Sequence, residues 1–357
     1  MSNESLELSL LSLFSVICFF SFFLIQKFSF IILKGSLRDD DFNKPQAFHS
    51  SDTPRSGGLA SIISFLLFIF LNKLLLSSFY ADYLTLAIGL FLIGFLEDIK
   101  IRFSPKSRLI TMAVLLFLVV NIFSLQIKGI DMIFFNYLQK INIFSIFFVV
   151  LCFLFIINGA NLIDGFNGLL ALHLILINAI LLYINVENNY LNFSVLITAQ
   201  IIILLVFLLF NFPNAKIFMG DGGAYLFGSI TALNAITTNN LNTNVSSFFF
   251  CILLFYLFFE VFFSFFRKIY QNKSPVKPDN EHLHMLVYKV LKLKKSEKDC
   301  NYLNSLIINL IFSFLILPSI FLKDNGLFCK IWFLALIIIY LFTYFRLNSF
   351  LKKQIDI

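Results

Sequence analysis

The chain has 357 residues, of which 59% are hydrophobic and 13% are charged, with a mean hydropathy of +0.89. Soluble domains carry about a quarter charged residues, so this composition excludes a soluble protein and indicates an integral membrane protein. The net charge of +7 comes from basic residues clustered between apolar runs, which favours phosphate-bearing ligands and anionic lipid headgroups as partners over nucleic acid.

Apolar runs recur along the chain at lengths that can cross a bilayer, if about 20 residues make a span and shorter spans near 15 are allowed where polar residues crowd the ends. The first run has no preceding Lys or Arg, so we expect it to remain as a helix. The predicted fold is all-α: a polytopic membrane bundle of about 10 to 11 transmembrane helices, in one domain over residues 1–357. The runs are centred on residues 8–30, 58–76, 83–96, 109–125, 143–157, 169–186, 193–210, 223–237, 246–266, 302–321 and 329–345.

The distribution of basic residues predicts the orientation of this bundle. Most of the 27 Lys and Arg residues fall in connections that share one side of the membrane when eleven spans are assumed. Because cytoplasmic loops carry the excess of basic residues, the N-terminus is expected outside and the C-terminus inside. Every connection that carries a motif then faces the cytoplasm.

The first of these connections leads into the second span through Pro54, Arg55, Gly57 and Gly58. The proline and glycines indicate a turn, and Arg55 places a fixed cation beside it. A basic anchor at a glycine turn, without a role in binding, is the alternative interpretation.

The second connection begins with two adjacent carboxylates, Glu97 and Asp98, at the end of the third span. Adjacent carboxylates at a helix C-terminus are disfavoured by the helix dipole and by their mutual repulsion. A metal ion or a proton from a substrate would explain them, and generic acidic capping is the alternative.

The stretch from residue 158 to residue 168 is a polar insertion between two apolar runs. It reads Asn-Gly-Ala-Asn-Leu-Ile-Asp-Gly-Phe-Asn-Gly, so Asn158, Asn161, Asp164 and Asn167 recur at every third position. In a turn-rich segment these side chains can converge on one pocket, while the glycines let the backbone approach a ligand. Backbone groups cannot stay unsatisfied in lipid, so we predict that this stretch lies at an aqueous face or lines a wet cavity.

Asp221 lies in another glycine-rich connection, which reads Phe-Met-Gly-Asp-Gly-Gly-Ala from residue 218. A carboxylate between glycines is unhindered, and it suits Mg²⁺ that also takes phosphate oxygens. A turn aspartate is the alternative, but the flanking spans bring Asp221 to the same face as Asp98 and Asp164.

The longest connection contains His282 and His284, a spacing that places two imidazoles on one face of an extended segment. Such a pair can serve as hydrogen-bond donors to a phosphate or as metal ligands. Glu260, inside the preceding apolar run, lies seven residues before Arg267 and so on the same helical face. It is either a functional acid or half of an ion pair with Arg267 that reaches toward the interface.

Together these motifs resemble the polyprenyl-phosphate N-acetylhexosamine-1-phosphate transferase superfamily, and in particular its undecaprenyl-phosphate GlcNAc-1-phosphate transferase branch. The resemblance runs from about residue 41 to residue 290 in the family's order. It is carried by Asn-x-x-Asn-x-x-Asp-Gly-Phe-Asn-Gly-Leu and Phe-Met-Gly-Asp-Gly-Gly-Ala, with Pro-Arg-Ser-Gly-Gly-Leu, Glu-Asp and His-x-His beside them.

This resemblance implies a transferase of the bacterial inner membrane. The implied reaction moves an N-acetylhexosamine 1-phosphate from a UDP-sugar, such as UDP-GlcNAc, to undecaprenyl or another polyprenyl phosphate and releases UMP. It would be the first membrane step of O-antigen lipopolysaccharide or another cell-envelope polysaccharide. Mg²⁺ is the implied cofactor, with Mn²⁺ as the alternative, and a homodimer is left open.

The resemblance also assigns roles to individual residues. Asp221, with Asp98, would ligate the metal, and Phe218 would pack on the uracil. One carboxylate of the Glu97–Asp98 pair would accept the proton of the acceptor phosphate. The expected catalytic residues are Glu97, Asp98, Asp164, His282 and His284, and the expected substrate-binding residues are Arg55, Asn158, Asn161, Asn167 and Phe218.

Three departures from the family's pattern bear on the branch. Met285 stands where many members have a further His, which argues against the phospho-N-acetylmuramoyl-pentapeptide transferase branch. Glu97 stands where many have Asp and keeps a carboxylate, whereas Asn167, where some have Asp, cannot act as a base.

Two alternatives to the favoured function remain open from the sequence. The pentapeptide transferase branch is the alternative within the enzyme class. A transporter or flippase of lipid-linked sugars is the alternative from another class, because secondary carriers also have many spans with buried polar segments. The chain shows no internal repeat, and its polar clusters lie at one predicted face, which favours the enzyme.

Overall fold

Nearly all of the described chain is helical. The computed structural model describes residues 3–39, 52–101, 103–275, 277 and 279–355. The predicted motif-bearing core begins at residue 41, so its first part, residues 41–51, lies outside the described residues. The helices are α1 (Asn3–Phe28), α2 (Gly57–Leu76), α3 (Ala81–Asp98), α4 (Pro105–Ile122), α5 (Ile133–Leu138), α6 (Asn142–Ile163), α7 (Leu169–Glu187), α8 (Leu191–Asn211), α9 (Gly220–Leu241), α10 (Ser247–Leu253), α11 (Phe255–Tyr270), α12 (Leu283–Lys292), α13 (Glu297–Phe321) and α14 (Gly326–Ile355).

Only one short sheet is present among the described residues. Strand β1 (Arg38–Asp39) pairs antiparallel with β2 (Thr53–Pro54), after a 3₁₀ turn at Ile32–Gly35. The all-α membrane class predicted from the sequence is therefore confirmed.

The number of spans differs from the prediction. By length and composition, eight helices of the described chain can cross a membrane, or nine if α10 and α11 count as one bent span. Ten of the eleven predicted runs each form one helix, and the run at 246–266 forms the two helices α10 and α11. Of these helices, α3 and α9 do not qualify as spans. The α3 helix carries Asp82, Glu97 and Asp98, and α9 is rich in Thr, Asn and Gly.

The α9 helix is polar yet buried along almost its whole length, where it packs against α2, α3, α6 and α7. Two of its threonine hydroxyl groups accept hydrogen bonds from amides of α7. Asn178 donates to Thr231 Oγ1 over 3.0 Å, and Asn185 donates to Thr238 Oγ1 over 2.8 Å. Both pairs are spaced by seven residues, so the same contact recurs two turns further along. Protein groups thus replace water as the partners of α9.

A sharp bend of 73° separates α10 from α11, where the sequence predicted one span over residues 246–266. The α11 helix is amphipathic with its polar side inward. Its buried polar face, here called the α11 polar face, consists of Tyr256, Glu260, Ser264 and Arg267. The phenylalanines on the other side, such as Phe266, are exposed, as expected for a helix side that contacts lipid.

Gly159 lets α6 pack backbone against backbone on α11. A Cβ at residue 159 would lie 2.1 Å from the carbonyl oxygen of Leu257. We therefore expect Gly159→Ala to lower the free energy of unfolding by about 1–3 kcal/mol, because the helices must separate. Thermal unfolding in detergent measures this loss.

Gly165→Ala is the matched control for that prediction, because a Cβ at residue 165 meets nothing within 4 Å. It should change the free energy of unfolding by no more than about 0.5 kcal/mol. Equal losses in the two variants would show that close packing at Gly159 is not the cause.

Candidate active site

Four carboxylates come together at one end of the helices. Glu97 and Asp98 end α3, Asp164 directly follows α6, and Asp221 lies in the first turn of α9. The amide of Asp221 donates to Asp98 Oδ1 over 2.9 Å, and the Asp164 carboxylate interacts electrostatically with Asp98 and Asp221. Three connections that are distant in the sequence therefore contribute to one cluster.

Both oxygens of Asp98 are engaged by the start of α9. Oδ1 accepts the amide of Asp221 and Oδ2 accepts the amide of Gly222, each over 2.9 Å, and Asp98 is only 4% exposed. A carboxylate in this place is stabilised by the unpaired amides and the dipole of the helix N-terminus. These contacts make Asp98 the cap that positions Asp221, and its expected role as metal ligand or proton acceptor stays a prediction.

Gly220 makes this cap sterically feasible. Its φ of 75° lies in the left-handed region, which favours glycine. A Cβ at residue 220 would lie 2.7 Å from both carboxylate oxygens of Asp98. The glycine before Asp221 is thus required by the cap as well as by the turn.

Two guanidinium groups offset the charge of Asp221. Arg108 Nη1 lies 3.1 Å from Asp221 Oδ2, and Arg55 Nη1 lies 3.8 Å from Asp221 Oδ1. Arg55 is also 3.6 Å from Asp98 Oδ1. The cation predicted at Arg55 is therefore in the cluster, whereas Arg108 was missed by the sequence interpretation.

A signal for Arg108 was nevertheless present in the sequence. Ser104 and Pro105 start α4, and the Ser104 hydroxyl accepts the amide of Ser107 as a helix cap. That start places Arg108 in the first turn of a helix at the membrane face. Its guanidinium also lies over the ring of Tyr225, 5.8 Å from the centroid.

Backbone hydrogen bonds bring Arg55 to Asp221. The amide of Phe218 donates to the carbonyl of Pro54, and the amide of Gly57 donates to the carbonyl of Phe218, each over 2.9 Å. The turn before α2 is thereby joined to the segment before α9. Phe218 is half-buried beside the cluster, and its expected contact with uracil stays a prediction.

Glu97 is the least engaged of the four carboxylates. Its side chain is 34% exposed, and among the described residues its buried Oε2 accepts no hydrogen bond. The nearest Arg108 nitrogen is 4.0 Å from that oxygen. In this cluster four carboxylates face two guanidinium groups, an excess of negative charge that favours a proton or a cation.

Asp164 is the carboxylate whose protonation is most affected by its position. Desolvation, together with the neighbouring Asp221 carboxylate, raises the pKa of Asp164 well above its usual range. A hydrogen bond with the backbone of Gly220 and the charge of Arg55 act in the opposite direction. A bound cation would further favour the ionised form.

The asparagines of the central stretch are less alike than their spacing predicted. Residues 158–163 continue α6 as a helix, and the amide of Asn158 donates to the Leu154 carbonyl of its own helix over 2.7 Å. Asn161 lies in the last turn of α6 and is partly buried. The expectation of a turn-rich segment from Asn158 onward was therefore wrong for its first half.

Asn167 fastens the turn that follows Asp164. Its amide N–H donates to Asn301 Oδ1 over 2.7 Å, and its side-chain Nδ2 donates to the Pro213 carbonyl over 2.9 Å. These contacts explain Asn167 as a residue that holds the turn in place, a role different from the expected contact with substrate.

His282 is enclosed by carboxylates. Its Nδ1 lies 3.0 Å from Glu260 Oε1, its Nε2 lies 3.3 Å from Asp279 Oδ1, and the residue is 2% exposed. Both ring nitrogens therefore have carboxylate partners, and the expected role of His282 in holding a phosphate stays a prediction. Of the two alternatives for Glu260, the ion pair with Arg267 is not formed, because Glu260 binds His282 and Arg267 binds Asp279.

His284 is completely buried, and its ring stacks on that of His282 at 5.6 Å. Its Nδ1 lies 3.1 Å from the Tyr256 hydroxyl, and its Nε2 has no hydrogen-bond partner in the described part of the chain. Desolvation lowers the pKa of His284 to about 3, so the imidazole is neutral near pH 7. Its expected contact with phosphate stays a prediction.

No group of three His, Cys, Asp or Glu side chains among the described residues is arranged to hold a metal ion by itself. Carboxylates are nevertheless the ligand type that Mg²⁺ prefers. Because Mg²⁺ commonly takes one or two carboxylates, with waters and substrate phosphates completing its shell, the cluster fits this ion.

The fold and this cluster define a polytopic membrane protein with a carboxylate and arginine site at one end of its helices. The model of glycosyl transferase family 4 matches residues 80–239, which extend from the start of α3 to the end of α9. The chain belongs to this family of transferases.

Curated relatives carry two different names. The chain is 26% identical over 265 residues to the undecaprenyl-phosphate alpha-N-acetylglucosaminyl 1-phosphate transferase of Thermotoga maritima, covering 74% of this chain and 77% of the relative. It is 32% identical over 231 residues to the phospho-N-acetylmuramoyl-pentapeptide-transferase of Dictyoglomus turgidum, covering 61% and 71%. The enzyme of that name from Prochlorococcus marinus is 31% identical over 241 residues, covering 62% and 64%.

Proposed function

We propose that the chain transfers an N-acetylhexosamine 1-phosphate from a UDP-sugar, with UDP-GlcNAc as the first candidate, to a polyprenyl phosphate in the cytoplasmic leaflet. The observation that carries this proposal is the position of Asp221 between Arg55 and Arg108, next to three further carboxylates at one end of a membrane bundle. The printed names of the relatives, which describe phosphosugar transfer, support it.

The reaction requires two anions to meet. A phosphate oxygen of the lipid forms a bond to the sugar-bearing phosphorus of the donor, and the bond between that phosphorus and the UMP oxygen breaks. Arg55 and Arg108 supply the fixed positive charge that offsets the repulsion and stabilises the charge developing on the transferred phosphate. They are held for this task by Asp221 and Asp98.

Asp221 and Asp164 are the residues that would hold Mg²⁺, because both carboxylates lie in the cluster and glycines flank Asp221. When bound, the ion would neutralise phosphate charge during transfer. Glu97 is the better candidate to accept the proton of the lipid phosphate, because its buried Oε2 has no hydrogen-bond partner in the described chain and both oxygens of Asp98 are engaged.

The second candidate is the phospho-N-acetylmuramoyl-pentapeptide transferase, which is favoured by the higher identity to relatives of that name. The residue that opposes it is Met285, completely buried in the first turn of α12, where many members have a histidine. The two candidates differ in the donor sugar, while the reaction at phosphorus is the same.

An assay of UMP release tests both candidates. Purified protein in detergent is supplied with Mg²⁺, a short polyprenyl phosphate and either UDP-GlcNAc, UDP-GalNAc or UDP-MurNAc-pentapeptide. We expect UMP release with a simple UDP-N-acetylhexosamine that depends on the lipid and stops when EDTA removes the metal. Release only with UDP-MurNAc-pentapeptide would select the second candidate, and no release with any donor would favour a transporter.

A further inference from the structure

The α11 polar face and the adjacent Lys268 bind the segment that leads to the histidines in an antiparallel register. Lys268 donates to the carbonyl of Lys277, and Arg267 binds Asp279 over 2.9 Å. About two and three turns earlier, Glu260 and Tyr256 contact the histidine segment itself. As the residue number falls along α11, the number of its partner rises.

Glu260 is the anchor at the centre of this ladder. Its Oε1 accepts from His282 Nδ1 over 3.0 Å and from the amide of Leu283 over 3.1 Å. Its Oε2 accepts from the hydroxyl of Tyr340 in α14 over 2.6 Å. The first residues of α12 are therefore fixed against α11 and α14 before His284 is reached.

Tyr256 lies one turn before Glu260 and contacts His284. Its hydroxyl lies 3.1 Å from Nδ1 of His284 and also interacts with the backbone of the same residue. If the hydroxyl donates, Nδ1 is the acceptor and the ring proton resides on Nε2. If Nδ1–H instead donated to the hydroxyl oxygen, both the hydroxyl proton and Nε2 would lack hydrogen-bond partners. In a buried site two unpaired groups cost more free energy than one.

His284 connects this ladder to the carboxylate cluster through an aromatic contact. The edge of its ring meets the ring of Phe166 at 5.8 Å between centroids. Phe166 is 5% exposed and lies two residues after Asp164, in the turn that Asn167 fastens. The ring of His284 therefore packs against the turn that carries Asp164.

We propose that Tyr256 is a positioning residue of the transfer reaction, which acts through the ring of His284 on the turn that carries Asp164. The inference rests on the proposed function, because its readout is catalysis. Tyr256 itself does not touch the carboxylates and makes no contact with the reacting atoms. Its hydroxyl selects one ring orientation and one tautomer of His284.

Tyr256→Phe tests the proposal, because it removes only the hydroxyl and keeps the ring that packs on His173 and Phe312. We expect kcat for UMP release to fall roughly tenfold, the order of one buried hydrogen bond, with KM for the UDP-sugar unchanged. Tyr190→Phe is the matched control, since it removes a hydroxyl that donates to the Leu241 carbonyl at the other end of α9. It should leave kcat as in the wild type.

A double-mutant cycle with His284→Ala separates action through His284 from a general loss of packing. If Tyr256 acts through His284, Tyr256→Phe causes no further loss of kcat in the His284→Ala background. An equal loss in both backgrounds would overturn the proposal. If His284→Ala itself releases no measurable UMP, the Tyr256→Phe variant alone tests the proposal. An unchanged kcat in that variant, or a rise in KM alone, would overturn the proposal.

The failure of this inference is distinguishable from the failure of the proposed function. A wild-type chain that releases no UMP with any donor overturns the proposed function, and the inference with it. A wild-type chain that releases UMP beside an equally active Tyr256→Phe variant overturns the inference alone.

Discussion

Replacing Asp221 by Asn is expected to lower UMP release by about a thousandfold or more, the loss typical of removing a principal charge from a phosphoryl-transfer site. The substitution keeps the size of the side chain and the backbone amide that donates to Asp98. It removes the charge that lies between Arg55 and Arg108, and with it the proposed magnesium ligand. Initial rates with saturating Mg²⁺ and both substrates measure the effect.

The same variant should fold normally, because Asp221 is a partly exposed group whose loss leaves no buried charge without a partner. Its midpoint of thermal unfolding should lie close to that of the wild type. Asp324→Asn makes the identical chemical change in the exposed connection between α13 and α14, and it should keep full activity. Retained transfer by Asp221→Asn would remove Asp221 from the proposed metal site.

Asp98→Asn should impair both activity and stability, and this combination distinguishes a cap from a chemical group. Only one of its two terminal atoms can accept, so either the Asp221 or the Gly222 amide would face an NH₂ group in a buried site. We expect a loss of about 1–3 kcal/mol in the free energy of unfolding, since one of the two capping amides is left buried without an acceptor. UMP release should fall at least about a hundredfold, because Asp221 is displaced.

Glu97→Gln provides the comparison for Asp98→Asn at the adjacent residue. Glu97 is one-third exposed and accepts no hydrogen bond at Oε2 within the described chain, so its neutralisation should leave thermal unfolding nearly unchanged while activity falls. If Asp98→Asn also unfolded at the wild-type temperature while losing activity, Asp98 would act on the chemistry itself and the capping role would be wrong.

The sequence was informative where one physical signal dominated. The length of the apolar runs predicted helices in every proposed span, although residues 246–266 form two helices separated by a bend. Chain parity predicted that Asp98, Asp164 and Asp221 would meet at one face. Both predictions depend only on the length of the hydrophobic runs and on the fact that successive connections lie on alternate sides of a membrane. The structure brings these carboxylates together as that reasoning required.

The remaining features depend on contacts that spacing cannot encode. Asn158 follows an apolar run directly, and the helical hydrogen bonds of α6 continue through it because Ala160 and Ile163 are buried by the neighbouring helices. The alternation of His282 and His284 correctly placed two stacked rings together. This spacing gave no indication that carboxylates from α11 and from the loop before α12 would contact both ring nitrogens of His282. Arg108 was read only as part of a basic connection.

The burial of α9 has a consequence for how the protein is made. This helix is too polar to partition from the translocon into lipid alone, because the side-chain amides of its asparagines would have no hydrogen-bond partners there. The helices that cover it, α2, α3, α6 and α7, all precede it in the chain. We therefore expect nascent α9 to insert against those earlier helices rather than into lipid, so that they must stay together until residue 241 has been synthesised.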